Sequence, residues 1–393
     1  MPHPTTYRHA LIALLLGEDC ALPAGAAWAR VVELAGAWGV LPVLHARLEQ
    51  HGYKSGVFEL GPFAAKCREA FTRTALVASN GAHICGHLER CGVPYVLFKG
   101  LAAICHLYSG PEERSTIDAD VLIREEDLQT TVLLLRDLGL SPEHGGDLDA
   151  YQRAVRNMPG FGGNESLAFH GPPFHSVDLH WRLGARPIAG MHPEEIIERG
   201  VRRSLLGTEV RVVSAVDGLV LGAHHALRNR FVPDEMIREV LDARRWLGLL
   251  ERQGTLDDAV QHVRGCRIEA VVYALGVLGG CANSVAPLKC RDGVALIELF
   301  QMQARGAPFE KDLAHLTDAR ALLQVLRGAF SGWDEYRRCL AELETQQTGG
   351  PAPIGRRVRD LFASIWSARR EGLRAFRALR TLARAKAAYQ DAG

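Results

Sequence analysis

Several things are missing from this 393-residue chain, and each absence removes a class of protein. There is no long apolar run. The longest, such as LIALLL at residues 11–16, falls well short of the roughly 20 residues a membrane-spanning helix needs. There is no excess of either charge: 46 Lys and Arg stand against 45 Asp and Glu, so overall charge demands neither a nucleic acid nor a membrane partner. There is no disulfide framework. The nine cysteines are odd in number and scattered, and several (Cys85, Cys105, Cys281) sit in apolar, helix-like segments. That is the usage of buried thiols in a reducing compartment, so a cytoplasmic protein is expected. No Walker loop and no Gly-x-Ser-x-Gly elbow is present, which leaves P-loop and serine-hydrolase chemistry without support. Neither internal repeats nor low-complexity tracts are found. The N-terminus has a weak basic region and a short apolar run followed by Gly17-Glu18-Asp19, and reads as the first helix of a soluble protein rather than a signal peptide.

What is present begins with helices. Apolar residues recur at three- and four-residue spacing through 26–50 and 63–91, with breaks at Pro42 and 51-HGYKSG-56. The texture then changes. Residues 93-VPYVLFK-99 are β-branched and aromatic and suit a buried strand. Gly100 turns the chain into a short helix, 101–108, and the polar loop 109-SGPEERS-115 follows. The strand 116-TIDADVLI-123 precedes a helix at 125–139, and further strands are expected at 167–170 and 175–181. After Trp181 the chain turns helical again, with one short strand at 209–213 and helices at 215–230, 235–252, 256–264 and 267–281.

The expected fold is therefore α+β, a small mixed sheet within a mainly helical chain. Four regions are expected: a helical region at 1–92, an α/β core at 93–213, a helical domain at 214–346, and a linker with a basic amphipathic helix at 347–393.

The chemistry concentrates in two strands. Residues two apart on a strand share a face, so Asp118 and Asp120 project side by side. Two carboxylates that close repel each other unless a cation lies between them or one keeps a proton, and a hard dication with oxygen ligands resolves the conflict. Asp178, flanked by Val177 and Leu179, supplies a third carboxylate if the two strands are neighbours. Three such groups suit the metal-assisted clamping of attacking and leaving oxygens in phosphoryl or nucleotidyl transfer. His180 shares the face of Asp178 and either orients a ligand or caps the sheet. Upstream, Lys99-Gly100 joins a strand to a helix N-terminus, an arrangement that admits phosphate, and Arg114 is the next cation along the chain.

These pieces, 98-FKGLA-102, Tyr108, Arg114, 117-IDADVLI-123 and 177-VDLHW-181, together with His224 and Asp242 in later helices, resemble the uncharacterised nucleotidyltransferase family of the DNA polymerase beta-type superfamily. The resemblance covers about residues 60–250. It implies a small sheet with flanking helices, a nucleoside triphosphate donor (ATP is expected), and Mg²⁺ or Mn²⁺ held by Asp118, Asp120 and Asp178. Lys99, Gly100, Arg114 and His180 are then expected around the phosphates and ligands. One departure stands out: Gly100-Leu101 occupies the place where the wider superfamily usually has Gly-Gly or Gly-Ser. The acceptor is left open between a small molecule and a peptide, and peptide modification is one setting such families suggest. A tRNA-modifying enzyme, transfer of a sugar or phosphate, and a catalytically inactive binding module are the alternative functions.

Two further features can each be taken in two ways. The helix-like 83-HICGHLERC-91 carries zinc-ligand residue types, yet one helix rarely supplies all the ligands of a structural zinc site. The run from Arg356 to Lys386 is basic, with Leu373, Phe376, Leu379 and Leu382 at helical spacing. It is either a helix packed by its apolar stripe or a surface for RNA, an acidic leader peptide or a membrane surface.

Overall fold

A computed structural model describes residues 4–17, 26–50, 60–142, 166–171, 174–183, 190–228 and 233–304. The basic segment at 347–393 and most of the Gly-rich stretch at 145–166 lie outside these residues.

Four helices come first: α1 (Pro4–Leu16), α2 (Ala26–Ala37), α3 (Leu41–Gln50) and α4 (Leu60–Arg90). Pro42 sits in the first turn of α3, where a missing N–H costs no helical hydrogen bond, and the break falls just before it at Gly39, whose φ is +67°. The sheet then begins with β1 (Tyr95–Leu97), followed by α5 (Lys99–Leu107) and β2 (Asp118–Ile123). A 3₁₀ turn at Glu125–Asp127 leads into α6 (Leu128–Asp137). Next come β3 (Ser141–Pro142), β4 (Ser166–Gly171), β5 (Phe174–His180), α7 (Pro193–Glu198), β6 (Val201–Leu205) and β7 (Thr208–Val212). Five further helices follow: α8 (Ala215–Arg228), α9 (Pro233–Gln253), α10 (Leu256–Gly265), α11 (Glu269–Leu278) and α12 (Arg291–Ala304). The α+β class expected from the sequence is observed.

Among the described residues the sheet has seven strands in the order β3-β4-β5-β2-β1-β7-β6. β2 pairs with β5 and β1 with β7 in parallel, and the remaining pairs are antiparallel. The central strands are short and apolar. Tyr95, Val96 and Leu97 are all buried, as are Ala119, Val121, Val177 and Leu179. α4 runs across the sheet and touches β2, β5, β6 and β7. Ala119 lies against Gly81 of α4, so the acids that alternate with Ala119 project away from that helix. Leu101 is fully buried and packs on the same Gly81, where an added Cβ would come within 2.7 Å of its Cδ1.

β6 departs from the helical pattern expected between Trp181 and residue 209. It forms a hairpin with β7 in which Leu205 pairs with Thr208. The two-residue loop, Leu206-Gly207, has φ of +51° and +81°. Such a turn ordinarily announces itself with Asn-Gly or Asp-Gly, so a leucine in the first position hides the signal. The apolar core is continuous from Leu11 in α1 to Phe300 in α12. α1 packs on α9 and α12 as well as on α2 and α3, which joins the first helices to the last ones.

Candidate active site

The parallel register of β2 and β5 builds the site. Asp118 lies opposite Ser176, Asp120 opposite Asp178, and Leu122 opposite His180. Aligned residues of paired strands share a face, so Asp120 and Asp178 project together. The ligand atoms of Asp120, Asp178 and His180 all lie within 4.8 Å of one another, and this is the group among the described residues with metal-holding geometry. Asp118 stands one step along the same face of β2, outside that group, half-buried where Asp120 is buried.

Asp120 is the hub. The Lys99 ammonium donates to its Oδ1, and His180 Nε2 lies 3.1 Å from the same oxygen. Burial opposes charge on Asp120, but Lys99 and His180 outweigh it and hold the carboxyl well below the usual range. Lys99 shows the mirror image. Burial works against its charge, Asp120 more than compensates, with Asp118 and Asp178 adding to it, and its pKa is raised. Asp118 differs from both. Burial and the Asp120 charge push it up to about 7, with Lys99 pulling only partly the other way. Lys99 thus acts on all three carboxylates, and Arg238 also acts on Asp118.

Lys99 reaches Asp120 because α5 starts directly at the end of β1. The Phe98 amide donates to the Asp120 carbonyl at 3.2 Å, which locks the start of the helix to the acid-bearing strand. Lys99 itself has φ of +48°, in the left-handed region that non-glycine residues seldom occupy. The Phe98 ring meets His180 edge to face, with centroids 4.8 Å apart, and fixes the imidazole from the other side. Gly100 has no room for a side chain: an added Cβ would stand 2.3 Å from Thr116 Oγ1. That close approach brings the loop carrying Arg114 and Thr116 against the start of α5.

Arg114 pairs with a different acid. It is buried, and its Nη2 and Nε donate to Asp242 Oδ2 on α9 at 2.7 and 3.3 Å, while Nη1 donates to the Ser115 carbonyl at 2.8 Å. The Tyr108 hydroxyl donates to Asp242 Oδ1 at 2.6 Å. This Tyr108–Asp242–Arg114 cluster ties the sheet side of the chain to the helices after it. A cleft between α5, α8 and α9 runs from Lys99 past this cluster to His225 and Glu239. Glu239 takes the His225 Nδ1 contact at 2.6 Å. Glu239 did not stand out in the sequence, because a Glu in an amphipathic helix reads as part of its solvated face.

The other metal-like run has a different arrangement. His83 and His87 meet on α4 with Nε2 atoms 3.2 Å apart, whereas Cys85 is fully buried and Cys91 lies beyond the helix end.

A small mixed sheet with carboxylates in register on two neighbouring strands, and a lysine delivered by the helix that follows the adjacent strand, is an arrangement that fits nucleotidyl transfer. The chain belongs to the family described as uncharacterised nucleotidyltransferase, whose profile matches residues 24–279. No curated protein matches the chain. Among the described residues no helix is long and apolar enough to cross a membrane.

Proposed function

We propose that this protein transfers a nucleoside monophosphate from a nucleoside triphosphate, ATP first among the donors, to a hydroxyl or phosphate on a small molecule or peptide, with Mg²⁺ or Mn²⁺. The observation that carries the reading is the register of Asp120 with Asp178, with His180 in ligating range, in a chain of nucleotidyltransferase family. The donor set suits a divalent ion: it is mostly carboxylate oxygen and partly buried, and burial with the neighbouring Asp120 charge pushes Asp118 up to about 7. In this reading residues 93–213 are the transferase core, 1–92 and 214–346 are its helical flanks, and the compartment is the cytoplasm.

Asp118, Asp120 and Asp178 hold the metal, and His180 orients Asp120. The bound ion would neutralise the triphosphate and polarise the α-phosphorus. Lys99, released from Asp120, pairs with the phosphate oxygens, and the amides at the start of α5 face the same anion. Asp178 takes the proton of an acceptor hydroxyl. A new bond forms from that oxygen to the α-phosphorus, the bond to the β-phosphate bridging oxygen breaks, and pyrophosphate leaves. Arg114 supports the phosphates at one remove, through its hold on the loop that packs against Gly100.

Asp120→Asn tests the reading. Pyrophosphate release from each triphosphate, measured with candidate acceptors, should fall at least about a thousandfold, the scale of losing a group that acts on the transition state. The circular dichroism spectrum should be preserved. Unchanged turnover in this variant rules the assignment out. Triphosphate binding by the wild type without pyrophosphate release under any condition favours an inactive binding module, consistent with the wholly buried Leu101 at the position where a phosphate-binding hydroxyl is usual.

A further inference from the structure

The cleft between α5, α8 and α9 has Lys99 in its lining. One side of it is built of short side chains and a ring: Ala103 from α5, Gly218 and Gly222 from α8, and Trp246 from α9. Trp246 packs directly on Gly218, where an added Cβ would stand 2.6 Å from the indole. This apolar side of the cleft suits contact with an aromatic group. Lys99, Arg114, His225, Glu239 and Asp242 also line the cleft, and among them Glu239 is set apart by one oxygen. Glu239 is 6% exposed and its Oε1 is taken by His225, while its Oε2 is buried with no hydrogen-bond partner among the described residues. Burial would raise its pKa, but His225, with Arg238 and Arg114 further off, lowers it, so the carboxylate is ionised. A buried anionic oxygen without a partner is costly, and a ligand N–H placed against it recovers that loss.

We propose that this cleft receives the base of the triphosphate donor and that Glu239 Oε2 selects an amino-bearing edge, the 6-amino group of adenine or the 4-amino group of cytosine. The inference rests on the nucleotidyltransferase reading, which puts the triphosphate at Lys99, in the lining of the cleft. An ionised carboxylate only accepts hydrogen bonds. It therefore favours a base that donates at this position and disfavours the otherwise matched base that presents a carbonyl there. The two oxygens of Glu239 then have separate tasks: one fixes His225 and the other reads the base.

Matched donors make the test. ATP, ITP, CTP and UTP are titrated into the full-length protein with Mg²⁺ and no acceptor, and binding is followed by calorimetry. The wild type should prefer ATP to ITP and CTP to UTP by about tenfold, the scale of one hydrogen bond to a charged group. Glu239→Gln keeps the shape and can turn its amide N–H toward the base, so both preferences should collapse or reverse. Gly222→Leu is the second variant. A Cβ there meets no atom within 4 Å, and Gly222 lines the cleft, so the added side chain starts from open space in its wall. It should weaken all four triphosphates by about tenfold or more while leaving the binding of Mn²⁺ alone unchanged. Equal affinities within each wild-type pair overturn the inference and leave the transferase reading standing. So does undiminished triphosphate binding by Gly222→Leu. Discrimination between ribose and 2′-deoxyribose with none between ATP and ITP also overturns it and gives the cleft to the sugar. Failure of the wild type to bind any triphosphate sinks the transferase reading itself, and this inference with it.

Discussion

Lys99 combines an uncommon backbone with an uncommon partner. Its φ of +48° would suit glycine, yet a lysine stands there and its ammonium rests on a buried aspartate. Backbone strain of this kind persists where the surroundings over-determine it, often at sites that act on ligands. Arg114 and Asp242 are the other buried pair, and their case is more structural. Both guanidinium contacts to Asp242 and the Tyr108 hydroxyl converge on one carboxylate. Asp242→Ala leaves Arg114 charged, buried and unpaired, and should cost about 3–5 kcal/mol in a urea unfolding titration. Arg114→Met combined with Asp242→Leu should recover much of that loss, since replacing both partners removes the uncompensated charge. A single variant within about 0.5 kcal/mol of wild type would mean that this cluster carries little of the fold. At this scale the sequence was informative about Asp118, Asp120 and Asp178, because acids alternating with apolar residues on a central strand must find a cation or a proton once that strand is buried. It was less informative about Arg114. A loop arginine between acidic neighbours and a metal strand suggests phosphate, and nothing local shows that its partner lies 128 residues further on.

Elements are legible where periodicity is strong and hidden where a turn carries an unusual residue. The long helix α4, the strands β2 and β5 and the helices α8 to α11 all follow their hydrophobic patterns to within a few residues. β6 does not announce itself, since Val201, Arg202, Arg203, Ser204 and Leu205 alternate weakly and the turn after them begins with leucine. That leucine gives a prediction. Leu206 is 52% exposed at a φ of +51°, so it gains little from packing and retains an unfavourable conformation. Leu206→Asn should stabilise the protein by about 0.5–1 kcal/mol, measured as a higher urea midpoint at an unchanged slope. No change, or destabilisation, would show that the exposed leucine has contacts that matter more than its backbone. The hairpin also bears on the site, because β7 is the strand that flanks β1 and the Val213 amide donates to the Leu97 carbonyl just before Lys99.

Across the whole molecule, the helices after the sheet are held to it by ion pairs as well as by the continuous core. Asp217 is fully buried on α8 and accepts from Arg199 at 2.9 Å and Ser214 at 2.7 Å, with His262 of α10 at 3.6 Å. Asp217, then the Cys266 thiol beside it, raises the pKa of His262 from 6.5 to about 9, against a smaller opposing effect of burial. A histidine whose folded value lies above its unfolded one stabilises fully below the unfolded value and loses that contribution as pH rises through the folded one. Unfolding free energy should therefore fall between about pH 6.5 and 9, by about 1–2 kcal/mol after allowance for solvent screening. In His262→Gln that part of the pH profile should flatten; an unaltered slope would assign the effect elsewhere. The sequence by itself determined the class of fold, the two acid-bearing strands and the family, because these depend on local periodicity and on residue types at fixed spacing. Only the tertiary structure decided which strands became neighbours, and so that Asp120 faces Asp178 with His180 while Asp118 stands outside that group. It also decided that Arg114 closes on Asp242 and that Glu239 borders a cleft beside Lys99. Those outcomes depend on the packing of segments far apart in the chain, and no local pattern records which distant side chain a buried charge will find.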